Sequence, residues 1–222
     1  MDKVRIFEIK QSVYENNDHA AEKLRQRLKG EKTCLMNLMS SPGSGKTTTV
    51  LRLIEKLRDE FKIGVMEADI DSAVDAETVA ETGIRAIQLH TGGMCHLDAG
   101  MTESGINEFG TKDLDFVILE NVGNLVCPAE FDTGAAFDMM LLSVPEGDDK
   151  PLKYPLMFSK VSVLVINKID VKPYFNFNTE AVRERVTKLN PDIKVFEISA
   201  KTGEGVDALA ACLAEKIRAW NA

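Results

Sequence analysis

At 222 residues, with 44% hydrophobic and 28% charged side chains, the chain has the size and composition of a soluble globular α/β protein. Its net charge of −8 excludes a surface built to coat nucleic acid, so no nucleic-acid partner is expected. No apolar run approaches the roughly 20 residues that span a bilayer. The stretch Met1 to Asp18 mixes charges with apolar residues, unlike a signal peptide. A cytoplasmic protein without a membrane partner is the expectation. The cysteines at 34, 95, 127 and 212 show no CxxC spacing and suit reduced thiols better than a disulfide framework.

In chain order, residues 1–30 read as an N-terminal extension with a helix packing on the domain, which occupies 31–222. The helix is predicted from about Asn17 to Lys29, with Asn16, Asn17 or Asp18 as its cap. An apolar strand from Cys34 to Met39 runs into Ser40-Ser41-Pro42-Gly43-Ser44-Gly45-Lys46-Thr47, and a helical pattern follows from Thr48 to Phe61. Strand, glycine-rich turn and a GK[ST] opening a helix form the context of a phosphate-binding P-loop. Backbone N–H groups of Gly43, Ser44, Gly45, Lys46, Thr47 and Thr48 are placed to converge on phosphate oxygens. The helix N-terminus adds roughly half a positive charge. Lys46 would reach the β- and γ-phosphates, and the Thr47 hydroxyl would coordinate Mg²⁺. The motif's usual first glycine is Ser40 here.

A second strand, Ile63 to Ala68, is followed by Asp69, Asp71 and Asp75. One of them is expected to join the magnesium or a water near it, with Asp75 favoured, while Asp69 and Asp71 also read as solvated caps. After a strand from Ile84 to Leu89 comes a long loop, Thr91 to Glu108, which sets Cys95 beside His96 near the start of a predicted helix. The buried strand Phe116 to Glu120 then leads into Asn121-Val122-Gly123. This resembles the DxxG element of GTPases, with Glu120 as the magnesium acid and Gly123 available to the γ-phosphate. Cys127 lies seven residues past Glu120. Thiolate and imidazole suit Zn²⁺ or Ni²⁺ rather than Mg²⁺. Neighbouring side chains on a helix point about 100° apart, so Cys95 and His96 alone form a poor chelate, and three ligands do not close a four-coordinate site. A two-fold dimer axis would bring six together. Because Cys127 follows the γ-phosphate element, hydrolysis would shift a metal ligand. Cys34 and Cys212 read as core residues.

Further on, a strand from Met139 to Val144 precedes a second long loop, Pro145 to Lys160. The strand Val161 to Ile166 ends in Asn167-Lys168-Ile169-Asp170, the NKxD pattern of guanine recognition. Asp170 can accept from guanine N1–H and from its 2-amino group, whereas adenine offers neither donor; a buried site built on such bonds discriminates by powers of ten. The Lys168 stem can lie against the base and Asn167 can brace the P-loop. After the strand Val195 to Ile198, Ser199-Ala200-Lys201 matches the segment that backs the guanine O6. Helical patterns cover Thr179 to Leu189 and Val206 to Trp220. Apolar strands alternating with helices indicate a three-layer α/β domain with a mainly parallel sheet. A kinase is the competing reading of the P-loop; the NKxD segment and the want of an arginine-rich lid argue against it.

The assembled segments resemble the nickel-incorporation GTPases of NiFe hydrogenase maturation, the HypB family. They are SSPGSGKTT at Ser40 to Thr48, GGMCHLDA at Gly92 to Ala99, ENVGNLVCPAEFD at Glu120 to Asp132, EGDDKPLKYP at Glu146 to Pro155 and NKID at Asn167 to Asp170. The likeness covers nearly the whole chain. It implies the fold of the dimerising GTPases related to signal-recognition and nitrogenase-iron-protein P-loop enzymes, GTP-dependent dimerisation and slow conversion of GTP to GDP. It also implies a nickel or zinc site at the dimer interface built from Cys95, His96 and Cys127, and contact of Lys153 with nucleotide near that interface. By the same resemblance, a companion nickel-binding maturation protein and the hydrogenase large subunit are the partners. No cysteine precedes Cys34, and His19 is the only histidine before it, so the N-terminal cysteine motif or histidine tract of some members has no counterpart in this sequence. The related urease-type nickel GTPase carries a Cys-Pro-His motif, absent here. A nucleotide-binding module without significant turnover is the other alternative.

Overall fold

The computed structural model describes residues 9–69 and 74–222, with side chains for 13–69 and 76–222. Seven described strands form one sheet: β1 (Cys34–Ser40), β2 (Ile63–Asp69), β3 (Arg85–His90), β4 (Phe116–Glu120), β5 (Phe137–Ser143), β6 (Val163–Asn167) and β7 (Lys194–Glu197). Their spatial order is β3-β2-β4-β1-β5-β6-β7, and every pair is parallel. The α-helices are α1 (Ile9–Glu31), α2 (Lys46–Leu57), α3 (Val74–Ala80), α4 (Ala99–Phe109), α5 (Cys127–Glu130), α6 (Lys150–Lys153), α7 (Pro155–Lys160), α8 (Thr179–Leu189) and α9 (Val206–Asn221).

Every residue of β1 is buried, as a central strand covered on both faces requires. On one face, Leu53 and Ile54 of α2 and Leu209, Leu213 and Ile217 of α9 pack on Cys34, Met36, Leu38 and Ile118. On the other, Leu24 and Leu28 of α1 and Ile106 and Phe109 of α4 meet Leu35, Met66, Val117 and Leu119. Farther along that face, Met157 and Phe158 of α7 and Val182 and Val186 of α8 cover Met140, Leu142, Leu164 and Ile166. Burying each such side chain stabilises the fold by about 1.5–3 kcal/mol.

Two expectations change. Asn16, Asn17 and Asp18 do not cap α1 but lie within it. Asn17 uses its amide for tertiary bonding instead: Nδ2 donates to the Asp132 carbonyl at 2.9 Å and Oδ1 accepts from Ala99 N–H at 2.9 Å. The two long loops are also largely helical. Residues 99–109 form α4, and a 3-10 turn (Val144–Glu146), α6 and α7 occupy most of the stretch from Pro145 to Lys160.

Parallel order puts all strand carboxyl ends on one edge. The P-loop leaves β1, where the chain's crossovers diverge toward β4 on one side and β5 on the other. That switch point opens the crevice in which open α/β sheets bind ligands.

Candidate nucleotide and metal site

The P-loop is shaped by its glycines and locked by the NKxD segment. Gly45, the N-cap of α2, has φ 98°, in the region that disfavours a side chain. A Cβ there would lie 2.6 Å from Asn167 Nδ2. That amide donates to the Ser44 carbonyl at 2.9 Å, while its Oδ1 accepts from Ala200 N–H at 3.1 Å. Lys168, whose stem was expected against a base, has its ammonium on the Gly43 carbonyl at 2.7 Å. Ser199 Oγ donates to Asp170 Oδ1 at 2.7 Å, and Arg52 of α2 donates to the carbonyls of Ala200 and Lys201. The P-loop, Asn167 to Asp170 and Ser199 to Lys201 are thus one bonded unit. The Ser44 hydroxyl is buried with no hydrogen-bond partner among the described residues, which fits a loop that receives phosphate oxygens. Thr47 is half-buried and Thr48 exposed on the first turn of α2.

Beside the loop lies a polar cavity of about 40 Å³, lined by Lys46, Glu67, Asp69, Glu120, Asn121 and Gly123 among others. Such a volume accommodates a few waters or a hydrated ion. Lys46 Nζ is 3.7 Å from Glu120 Oε1. Gly123 approaches so closely that a Cβ would stand 3.1 Å from Pro42 of the P-loop. The sequence reading missed Glu67. It is 2% exposed on β2 and faces Glu120 in the register of β2 with β4. The signal was a charged residue inside an otherwise apolar buried strand. Two carboxylates against an ammonium suit a divalent cation that binds oxygen. Asp69 is half-buried at the end of β2; Asp71 and the side chain of Asp75 lie outside the described residues.

Cys95, His96 and Cys127 converge, with their ligand atoms all within 4.8 Å of one another. The Cys-His pair stands just before the start of a helix, as the sequence indicates. It lies in the loop before α4, whose N-cap is Asp98. A turn closed by Thr91 Oγ1 donating to the Met94 carbonyl at 2.6 Å precedes it. Freed from helical spacing, Cys95 Sγ and His96 Nδ1 come to 3.9 Å. The His96 ring is buried and stacks on Phe131, with centroids 4.1 Å apart. Burial lowers its pKa, opposed by Asp98 and Glu130, and so favours the neutral imidazole that ligates metal. The Cys95 sulfur, through a hydrogen bond, and then burial raise the Cys127 thiol; a bound cation would reverse that preference. Exposed apolar side chains, Met94 and Val126, stand directly before Cys95 and Cys127.

The remaining cysteines are core residues: Cys34 is fully buried, with its thiol pushed up to about 12 by burial, and Cys212 is buried on α9. Lys153, at the end of α6, is exposed and ion-paired to Asp149 at 2.5 Å; it belongs to the loop region that follows β5 at the sheet's carboxyl edge. No helix among the described residues is long and apolar enough to cross a membrane.

The family model described as CobW/HypB/UreG, nucleotide-binding domain, matches residues 34–197. The chain is 41% identical to a hydrogenase maturation factor HypB of Rhizobium leguminosarum bv. viciae, covering 96% of this chain and 71% of that protein. It is also 41% identical to a hydrogenase/urease maturation factor HypB of Helicobacter pylori, over 95% and 88% respectively. The crystal structure of HypB from Helicobacter pylori in complex with nickel superposes with a TM-score of 0.85 at 41% identity, covering 91% of this chain and 95% of that one. The signal recognition particle receptor FtsY from Elizabethkingia anophelis in complex with GDP shares the fold alone, at TM-score 0.54 and 14% identity over 90% of this chain and 72% of its own. The NKxD clamp on a P-loop, the clustered Cys95, His96 and Cys127, and these likenesses lead to one assignment: the chain belongs to the HypB hydrogenase maturation factors of the CobW/HypB/UreG family.

Proposed function

We propose that the protein is a slow GTP-hydrolysing switch that carries nickel to a hydrogenase, with the metal held between two copies of the chain. The observation that carries this reading is the gathering of Cys95, His96 and Cys127 on segments that adjoin the γ-phosphate turn. Cys127 follows Gly123 on the same β4 exit. A nucleotide-dependent change at Gly123 therefore reaches a metal ligand through three intervening residues.

Chemistry at phosphorus requires positioning and charge neutralisation. In this reading the Gly43 to Thr48 amides and Lys46 hold the phosphates. Asp170 selects guanine, held in place by Ser199, while Asn167 and Lys168 brace the loop. Thr47, Glu120 and the newly identified Glu67, with Asp69, supply oxygen ligands for magnesium. When bound, that ion would neutralise phosphate charge. Lys46 now pairs with Glu120 and would exchange that partner for phosphate as substrate enters. Lys153 contacts nucleotide near the interface in the family pattern.

Three ligands leave a nickel or zinc site open, and the exposed Met94 and Val126 beside it suit burial against a second copy. The acceptor is the hydrogenase large subunit, reached with a companion nickel-binding protein; the relative named for both enzymes supports urease as a further acceptor. Metal stoichiometry tests the reading. With a non-hydrolysable GTP analogue, equilibrium dialysis should give one nickel per two chains, and Cys95→Ser should abolish it. One tight nickel per chain in a monomer would exclude the shared site.

A further inference from the structure

A chain of buried amides crosses the sheet beneath the metal site. Asn121, fully buried at the exit of β4, accepts on Oδ1 from two backbone donors, Val122 N–H at 2.9 Å and Leu97 N–H at 3.3 Å. Its Nδ2 donates to Asn37 Oδ1 at 3.1 Å. Asn37, 1% exposed on β1, donates in turn to Asp138 Oδ1 at 2.8 Å. Asp138 pairs with Asn37 in the register of β5 with β1 and lines a separate cleft.

The polarity of this chain is fixed from both ends. Two peptide N–H groups can only donate, so Asn121 must turn its oxygen toward them. The ionised carboxylate can only accept, so Asn37 must turn its NH₂ toward Asp138. Leu97 directly follows His96, and Val122 directly precedes Gly123, the residue packed on the P-loop. One side-chain oxygen therefore holds a peptide of the metal loop and a peptide of the phosphate turn together. Cys127 is tied to that turn by the chain itself; His96 has no such covalent route.

We infer that Asn121 is the positioning residue that couples the phosphate turn to His96 and Cys95, with Asn37 and Asp138 setting its orientation. The inference rests on the proposed linkage of nucleotide to metal and names how half of the site takes part in it. Movement of the Val122–Gly123 peptide pulls on Asn121 Oδ1 and through it on the Leu97 peptide. Removing the amide leaves two buried N–H donors without their acceptor and lets the two loops move independently.

The test uses Ni²⁺ and Co²⁺ as probes of the full chain, with GDP and with guanylyl imidodiphosphate. Wild type should bind Ni²⁺ with affinities that differ roughly tenfold between the two nucleotides, and the Co²⁺–thiolate absorption should change with them. In Asn121→Ala the ratio of Ni²⁺ affinities between nucleotide states should fall toward one, whatever the absolute affinities become. If Asn121→Ala does not fold, Asp138→Leu should lower the ratio, and Asp138→Asn, which keeps an acceptor for Asn37, should restore it. A wild-type ratio retained in Asn121→Ala, or in Asp138→Leu where that variant stands in, overturns the inference alone. An absent ratio in wild type overturns the nucleotide–metal linkage itself, and the inference with it.

Discussion

Asp170 shows how much a single carboxylate decides. Its Oδ1 already accepts from Ser199, so its orientation is held before any base arrives. Asp170→Asn should weaken GTP binding by about 1.5–3 kcal/mol for each charge-assisted bond lost. The preference should move toward xanthosine nucleotide, whose 2-oxo group accepts from an amide; competition titrations read both effects. Asp138 makes a different prediction. Burial first, then Asp132, push its carboxyl up to about 6 from 3.8, against the Asn37 bond and the cations Arg25 and Lys160. A folded-state pKa above the unfolded one means the protonated form favours folding. This contribution is fullest below about pH 4 and is lost as pH rises through 6. Asp138→Asn should flatten that part of the stability profile, seen in denaturant midpoints measured from pH 4 to 7; an unchanged slope would assign it elsewhere. Residues such as Asp170, Lys46 and Cys127 were legible because local motifs carry them. Glu67, Asn37 and Asn121 were not. Their partners lie on neighbouring strands, and the order β3-β2-β4-β1 that makes them neighbours is not written in local sequence.

At the scale of elements, the strands were legible from their apolar runs because both sheet faces are covered, and α8 was legible to its ends. The capping of α1 and the short helices inside the second long loop were not. Asn17 is drawn into bonds with Asp132 and Ala99, a tertiary use that outweighs its preference for a helix start. The Cys95–His96 turn was legible only as the approach to a helix, which begins after the Asp98 cap. The joint between P-loop and NKxD segment is the most demanding fit in the fold. Gly45→Ala would require a side chain at φ 98° and a Cβ 2.6 Å from Asn167 Nδ2. Backbone strain alone costs about 1–3 kcal/mol, and the displaced amide would release the Ser44 carbonyl as well. Thermal unfolding should therefore show lower stability, and GTP affinity should fall with it; wild-type behaviour in both would mean the joint is loose.

Over the whole molecule, the parallel sheet gathers every functional loop on one edge, and the central P-loop lies between a guanine side (β6, β7) and a metal side (β3, β4). In the proposed reading this layout makes one chain a linkage device. Phosphate would then bind in the middle and the base on one flank, while three soft ligands stand on the other beside exposed Met94 and Val126. A shared metal would join two such flanks. The central claim is that nucleotide state governs both metal affinity and pairing of the chains. It is tested most directly by measuring nickel affinity and oligomeric state with GDP and with a non-hydrolysable GTP analogue, in wild type and in Cys127→Ala. The account predicts a dimer with a changed nickel affinity only in the analogue-bound wild type, and loss of the nucleotide-dependent metal response in Cys127→Ala. Nickel affinity and mass that ignore both the nucleotide and the substitution would contradict it.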